Sequence, residues 1–109
     1  MSVFQPPETV KPQAHLPNQD LTLELADFYK VFGDCSRLKI LFTLLDNELY
    51  VNEIAEALGM SQSAVSHQLR ILRQHKLVKV KKDGKTSVYS LGDDHVYRIL
   101  TQGLEHLSH

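Results

Sequence analysis

Residues 51–75, VNEIAEALGMSQSAVSHQLRILRQH, carry two short helical patterns with one break between them. Ile54, Ala55 and Leu58 recur at helical spacing and predict a helix over Val51–Leu58 that buries one stripe. Gly59 breaks it. Ser61 is a good N-cap for a second helix running to about His75, with Val65, Leu69 and Leu72 on its inner face. Ala55 is small where the two helices must cross closely, Gly59 permits the turn, and Val65 packs back beneath the pair. The stretch therefore reads as a helix-turn-helix.

Working outward, Leu77 to Lys82 alternates with period two, Asp83-Gly84 is a strong two-residue turn signal, and Lys85 to Leu91 returns as a second strand. A turn centred on Asp83-Gly84 sets Val78 opposite Tyr89 and Val80 opposite Ser87. Gly92 and Asp93 then open a terminal helix. Upstream, Leu21, Leu25, Phe28 and Phe32 have helical spacing and Gly33 ends that run. Asp34 can cap a further helix from Cys35 to about Leu45, with Leu38, Leu41, Phe42 and Leu45 facing a core. Glu48-Leu49 reads as a connector. The order helix, helix, helix-turn-helix, hairpin, helix predicts a mainly α fold with a small β-hairpin, a winged helix-turn-helix.

All four prolines fall within residues 1–17, which read as a flexible tail ahead of one domain over 18–109. At 109 residues a single core is near the size where it becomes comfortably stable, and a dimer interface would add burial. No apolar run approaches a membrane span, so no membrane association is expected. The N-terminus lacks the basic-then-apolar pattern of a secretory signal. Cys35 is the only thiol, so no disulfide forms within one chain, and a reducing cytoplasm is the expected setting.

The formal net charge of −1 hides an asymmetry. Between Ser61 and Ser90, seven cations stand against one acid, Asp83, leaving that stretch +6. A polyanion would bind there. A helix entering the major groove of double-stranded DNA presents its first turns to base edges, which selects Gln62, Ser63, Ser66 and His67, with Gln68 as an outward-facing neighbour. Gln pairs bidentately with adenine, and Ser and His donate or accept at either edge. Lys82 and Lys85 at the hairpin tip would reach the neighbouring minor groove or its phosphates.

Asp93, His95, His106 and His109 lie along the terminal helix. The eleven steps from His95 to His106 are about three full turns, so both rings share a stripe roughly 16 Å apart, too far for one ion. His109 is one turn beyond His106, and Asp93 stands beside His95 where the helix begins. Each chain thus offers two half-sites, which an antiparallel second copy would complete as two identical N/O sites. Spacing alone leaves a second reading open: these are polar residues flanking the apolar seam of Val96, Ile99, Leu100 and Leu107, either solvated or hydrogen-bonded within the packing.

On Phe32-Gly33-Asp34-Cys35-Ser36-Arg37-Leu38, Ser61-Gln62-Ser63-Ala64-Val65-Ser66-His67-Gln68-Leu69, the Asp83-Gly84 wing and the Asp93-x-His95…His106-x-x-His109 set, the chain resembles the ArsR/SmtB family of small metal-sensing winged-helix repressors over about residues 21–109. The resemblance implies a homodimer, paired through its terminal helices, that binds a palindromic operator when metal-free and leaves it when metal occupies the interface between those helices. It implies Zn(II) as the allosteric effector, with Asp93, His95, His106 and His109 as ligands and Gln62, Ser63, Ser66 and His67 as DNA contacts. It also implies a hydrogen bond from His106 to a backbone carbonyl near Lys76. Relatives that sense arsenic, cadmium or lead carry Cys near the positions of Tyr50 and Asn52, and neither is Cys here. Cys35 reads as a small buried residue.

Three imidazoles and one carboxylate make a closed tetrahedral site suited to zinc. A nickel or cobalt response is the runner-up, with His15 as the one further histidine that could join, and a purely structural zinc is the other alternative. Four protein ligands leave no open position for a catalytic water, so an enzyme is not expected.

Overall fold

Asn18, ahead of the apolar run, starts the first helix: its side-chain oxygen accepts from the Leu21 N–H at 2.8 Å and sets the beginning of α1 (Gln19–Phe32). The computed structural model describes residues 15–108, so most of the expected tail and His109 lie outside the described residues. Gly33 closes α1 with its N–H on the Lys30 carbonyl, and the Asp34 carboxylate caps α2 (Cys35–Thr43) by accepting from the Arg37 N–H at 3.0 Å. The buried residues of this segment are Ile40, Leu41 and Leu44, while Leu38, Phe42 and Leu45 are half-buried. Cys35 is exposed, contrary to the expectation that it is buried, because it lies on the opposite side of the helix from Leu44.

The expected connector at Glu48-Leu49 contains a strand. β1 (Leu49–Tyr50) pairs antiparallel with β3 (Thr86–Leu91), which pairs in turn with β2 (Val78–Asp83), in the order β1-β3-β2. The hairpin register also differs from the expected one by two residues. Val78 faces Leu91, Val80 faces Tyr89, and Asp83 faces Thr86, so the loop is Gly84-Lys85. Gly84 has φ +67° and Lys85 no left-handed angle, which is the type II′ pattern with glycine in its first central position. A slip of two preserves the pleat, so each side chain keeps its expected face.

Between β1 and the wing lie α3 (Val51–Leu58) and α4 (Gln62–Gln74), the helix-turn-helix, and α5 (Asp94–Leu107) follows β3. Ile54, Val65, Leu69 and Leu72 are fully buried at the centre of the core, joined by Val96 and Leu100 from α5. No polar side chain is buried among the described residues, so apolar burial carries this packing. The chain is a winged helix-turn-helix.

The end of α4 is tightly built. Leu77 N–H bonds the Leu72 carbonyl at 2.9 Å and Lys76 N–H the Arg73 carbonyl at 3.0 Å, a Schellman arrangement with Lys76 left-handed at φ 58°. A lysine in that conformation is strained, and the buried Leu72–Leu77 pair holds it there. Gly92, opening towards α5, donates its N–H to the Leu77 carbonyl at 2.9 Å, and a Cβ at Gly92 would stand 2.3 Å from the Lys76 carbonyl oxygen. Gly92→Ala should therefore destabilise the fold by about 1–3 kcal/mol, read as a lowered midpoint in thermal denaturation. An unchanged midpoint would contradict this close approach.

Candidate nucleic-acid interface and metal half-sites

The beginning of α4 is held by Ser61, whose Oγ accepts from the Ala64 N–H at 3.1 Å and lies 3.3 Å from the Ser63 Oγ. With Val65, Leu69 and Leu72 turned into the core, Gln62, Ser63, Ser66 and His67 are all exposed on one outer surface. Gln68 departs from its expected outward position. It is half-buried, and its Oε1 accepts from Arg37 Nη1 at 3.3 Å, while Arg37 Nε donates to the Val31 carbonyl at 2.9 Å. A guanidinium only donates, so this contact consumes the Gln68 acceptor and leaves its N–H groups available. Arg37 thus joins α1, α2 and α4, a role that no local sequence signal announces.

At the wing, Lys79, Lys81, Lys82 and Lys85 are all exposed. The Asp83 carboxylate is engaged, accepting a hydrogen bond from the Tyr50 hydroxyl. That bond, and next the carboxylate's charge, hold the Tyr50 phenol above the ordinary tyrosine range.

At the other end of the sheet Asp93 is the N-cap of α5. Its Oδ1 accepts from His95 N–H at 2.8 Å and Val96 N–H at 3.2 Å. The backbone bond from Val96 is the largest influence keeping this carboxyl below its usual range; partial desolvation works against it, and the His95 N–H and the nearby imidazole add to the lowering. His95 Nδ1 lies 3.4 Å from Asp93 Oδ1, and the His95 side chain is 79% exposed. His106 is exposed in the last turn of the same helix. Among the described residues no three His, Cys, Asp or Glu side chains gather into a group that could hold a metal ion. Asp93 and His95 therefore stand together and His106 apart, while His109 lies outside the described residues. The hydrogen bond implied between His106 and a backbone carbonyl near Lys76 is not present among the described residues. It is Gly92 that approaches the Lys76 carbonyl, so the start of α5 rests on the end of α4.

Residues 34–80, from the cap of α2 to β2, match the family described as "Bacterial regulatory protein, arsR family". The chain is 40% identical over 95 residues to a transcriptional repressor SmtB homolog of Synechocystis, covering 87% of this chain and 72% of that one. It is 42% identical over 99 residues to the HTH-type transcriptional regulator NmtR of Mycobacterium tuberculosis, with 91% and 82% covered. This chain belongs to the arsR family. Among solved structures, the homodimeric winged helix-turn-helix DNA-binding domain Mb0332 of Mycobacterium bovis superposes with a TM-score of 0.76 at 26% identity, over 88% of this chain and 91% of that one.

The arsR-family match stops at residue 80, ahead of the wing tip and all of α5, so Asp93, His95 and His106 lie outside it. The dual position of Asp93 can be separated experimentally. In metal-free protein Asp93→Asn, which keeps a cap acceptor, should melt close to wild type, whereas Asp93→Ala should melt lower. Equal melting of both variants would remove the capping role.

Proposed function

We propose that this chain is a Zn(II)-responsive transcriptional repressor, a homodimer that holds a palindromic DNA operator when metal-free and releases it when metal is bound between the two copies of α5. The observation carrying this reading is the placement on a single helix of an Asp93–His95 pair at one end and His106 at the other, too far apart to serve one ion. An antiparallel α5 from a second copy brings the partner's His106 and the partner's His109 to Asp93 and His95.

Support for the pairing comes from the apolar surface that one chain leaves open. Tyr29 is 61% exposed on α1, and Leu104 and Leu107 are 55% and 83% exposed on α5. A groove of about 320 Å³, also lined by Phe32, Phe42 and Ile99, runs between them. Patches of this kind on a small domain mark interaction surfaces. Leu21 and Leu25, at core-like spacing on α1, are also 45% and 38% exposed in the protomer and line a separate groove with Phe28 and His75.

The donor set fits the ion. Asp93 spends Oδ1 on two backbone N–H groups and keeps Oδ2 free to ligate, so capping and binding are compatible. Zinc, when bound, would supply a closed four-coordinate crosslink of three imidazoles and one carboxylate. The chain's own residues carry the consequence to the DNA side: Gly92, one residue before Asp93, bears on Lys76 and Leu77 at the end of the reading helix. A shift of α5 towards its partner moves the end of α4 with it, and with it the spacing of the two reading helices, which must match half-sites about one DNA turn apart.

In a fluorescence anisotropy titration of operator-like DNA against Zn(II), Co(II) and Ni(II), zinc should weaken wild-type binding about 5–150-fold, a coupling of about 1–3 kcal/mol. His95→Ala should bind the DNA but lose the response. A stronger effect of nickel or cobalt would reassign the effector, unchanged affinity with zinc bound would make the metal structural, and a wild type indifferent to all three would sink the sensor reading.

A further inference from the structure

Asp83 is the only acid in the basic stretch and sits at the tip of the wing, between the exposed Lys82 and the turn residues Gly84 and Lys85. A free carboxylate there would face the same phosphates that the lysines attract. It is held instead by the hydroxyl of Tyr50, a residue far away in sequence at the start of α3.

The sheet register explains the reach. Tyr50 pairs with Val88, and Val88 pairs with Lys81, so the three stand in one row across the sheet. Asp83 is two residues beyond Lys81 and shares its face, while Lys82 points to the other. The Tyr50 side chain therefore crosses β3 diagonally to reach β2. β1 ends at Tyr50, so beyond the Val88–Lys81 pair the wing is a bare two-stranded ribbon closed by Gly84-Lys85. Such a ribbon is marginally stable by itself. The Thr86 Oγ1 bond to the Asp83 carbonyl, at 2.7 Å, lies within the turn and ties the tip to nothing outside it. Tyr50 is anchored at its other end by its backbone N–H, which donates to Glu53 Oε1 at 2.9 Å in the first turn of α3. That helix packs directly on α4 through the buried Ile54 and Ala55.

We infer that Tyr50 is a positioning residue for DNA binding: its hydroxyl braces the wing tip against the head of α3 and so sets the reach of Lys82 and Lys85 relative to the reading helix. This rests on the DNA-binding reading above and adds to it a residue outside both the reading helix and the metal set. The Tyr50→Phe variant keeps the ring and loses only the tie.

The test uses a random-sequence DNA duplex, because phosphate contacts are read by salt dependence whatever the sequence. Wild type, Tyr50→Phe, the double variant Lys82→Ala/Lys85→Ala and the triple variant are titrated over a range of salt, and amide hydrogen exchange is followed at Lys82–Thr86. Tyr50→Phe should bind several-fold more weakly, with a slope of log affinity on log salt shallower by about 1–2, and should cost nothing further once both lysines are gone. Its tip amides should exchange faster than in wild type. Wild-type affinity and slope in Tyr50→Phe, or a loss that persists without the lysines, would overturn the positioning role. Unchanged exchange at the tip would overturn the brace itself, independently of DNA. A wild type with no salt-dependent duplex binding would instead defeat the DNA reading.

Discussion

An α-helix rises about 1.5 Å per residue, and this single constraint decides what the histidines of α5 can do. His95 and His106 share a stripe, yet they are separated by about three turns, so no rearrangement of rotamers brings both to one ion. Asp93 and His95 are already neighbours, held by the same backbone N–H groups that start the helix. A metal that uses these residues together with His106 must therefore draw on two chains, and its occupancy becomes a statement about how two copies of α5 lie against each other. The exposed Tyr29, Leu104 and Leu107 are the apolar counterpart of that requirement.

The route from there to the reading helix is short and made mostly of backbone. Gly92 leaves no room for a side chain against the Lys76 carbonyl, and Lys76 holds a left-handed conformation that Leu72 and Leu77 stabilise by burial. The start of α5, the end of α4 and the base of the wing thus meet at one point. Arg37 makes a second junction, tying the end of α1 to Gln68 on α4. Arg37 thus bonds α1 to the helix that would meet DNA, and Gly92, just ahead of α5, is bonded to Leu77, just past that helix's end.

Local signals in the sequence were strong wherever the structure is local. The helix-turn-helix, its Ser61 cap, the Asp34 cap and the Gly92-Asp93 opening of α5 all follow from residue spacing and capping chemistry, and all are present. What escaped depends on partners distant in sequence. β1 exists only because β3 lies beside it, and two residues offer no periodicity to read. The hairpin turn was placed one residue early because Asp-Gly and Gly-Lys are both acceptable turn pairs, and only the ladder chooses between them. Gln68 turned inward because its Oε1 accepts from an Arg37 N–H, and Tyr50 joined the wing because the register sets its row two residues short of Asp83 on the same face. Helical spacing set Asp93 and His95 together and His106 apart, as they stand, whereas the metal site proposed from them and His109 needs a second chain, which one sequence does not display.

Mixed dimers test the shared site most directly. One variant carries Asp93→Asn with His95→Ala, the other His106→Ala with His109→Ala, and each alone should show no tight zinc binding. Refolded together, they should recover one tight site per mixed dimer, where His106 and His109 of the first chain meet Asp93 and His95 of the second. A mixture that binds no more zinc than its separate components, or a single variant that binds like wild type, would contradict a site divided between two chains.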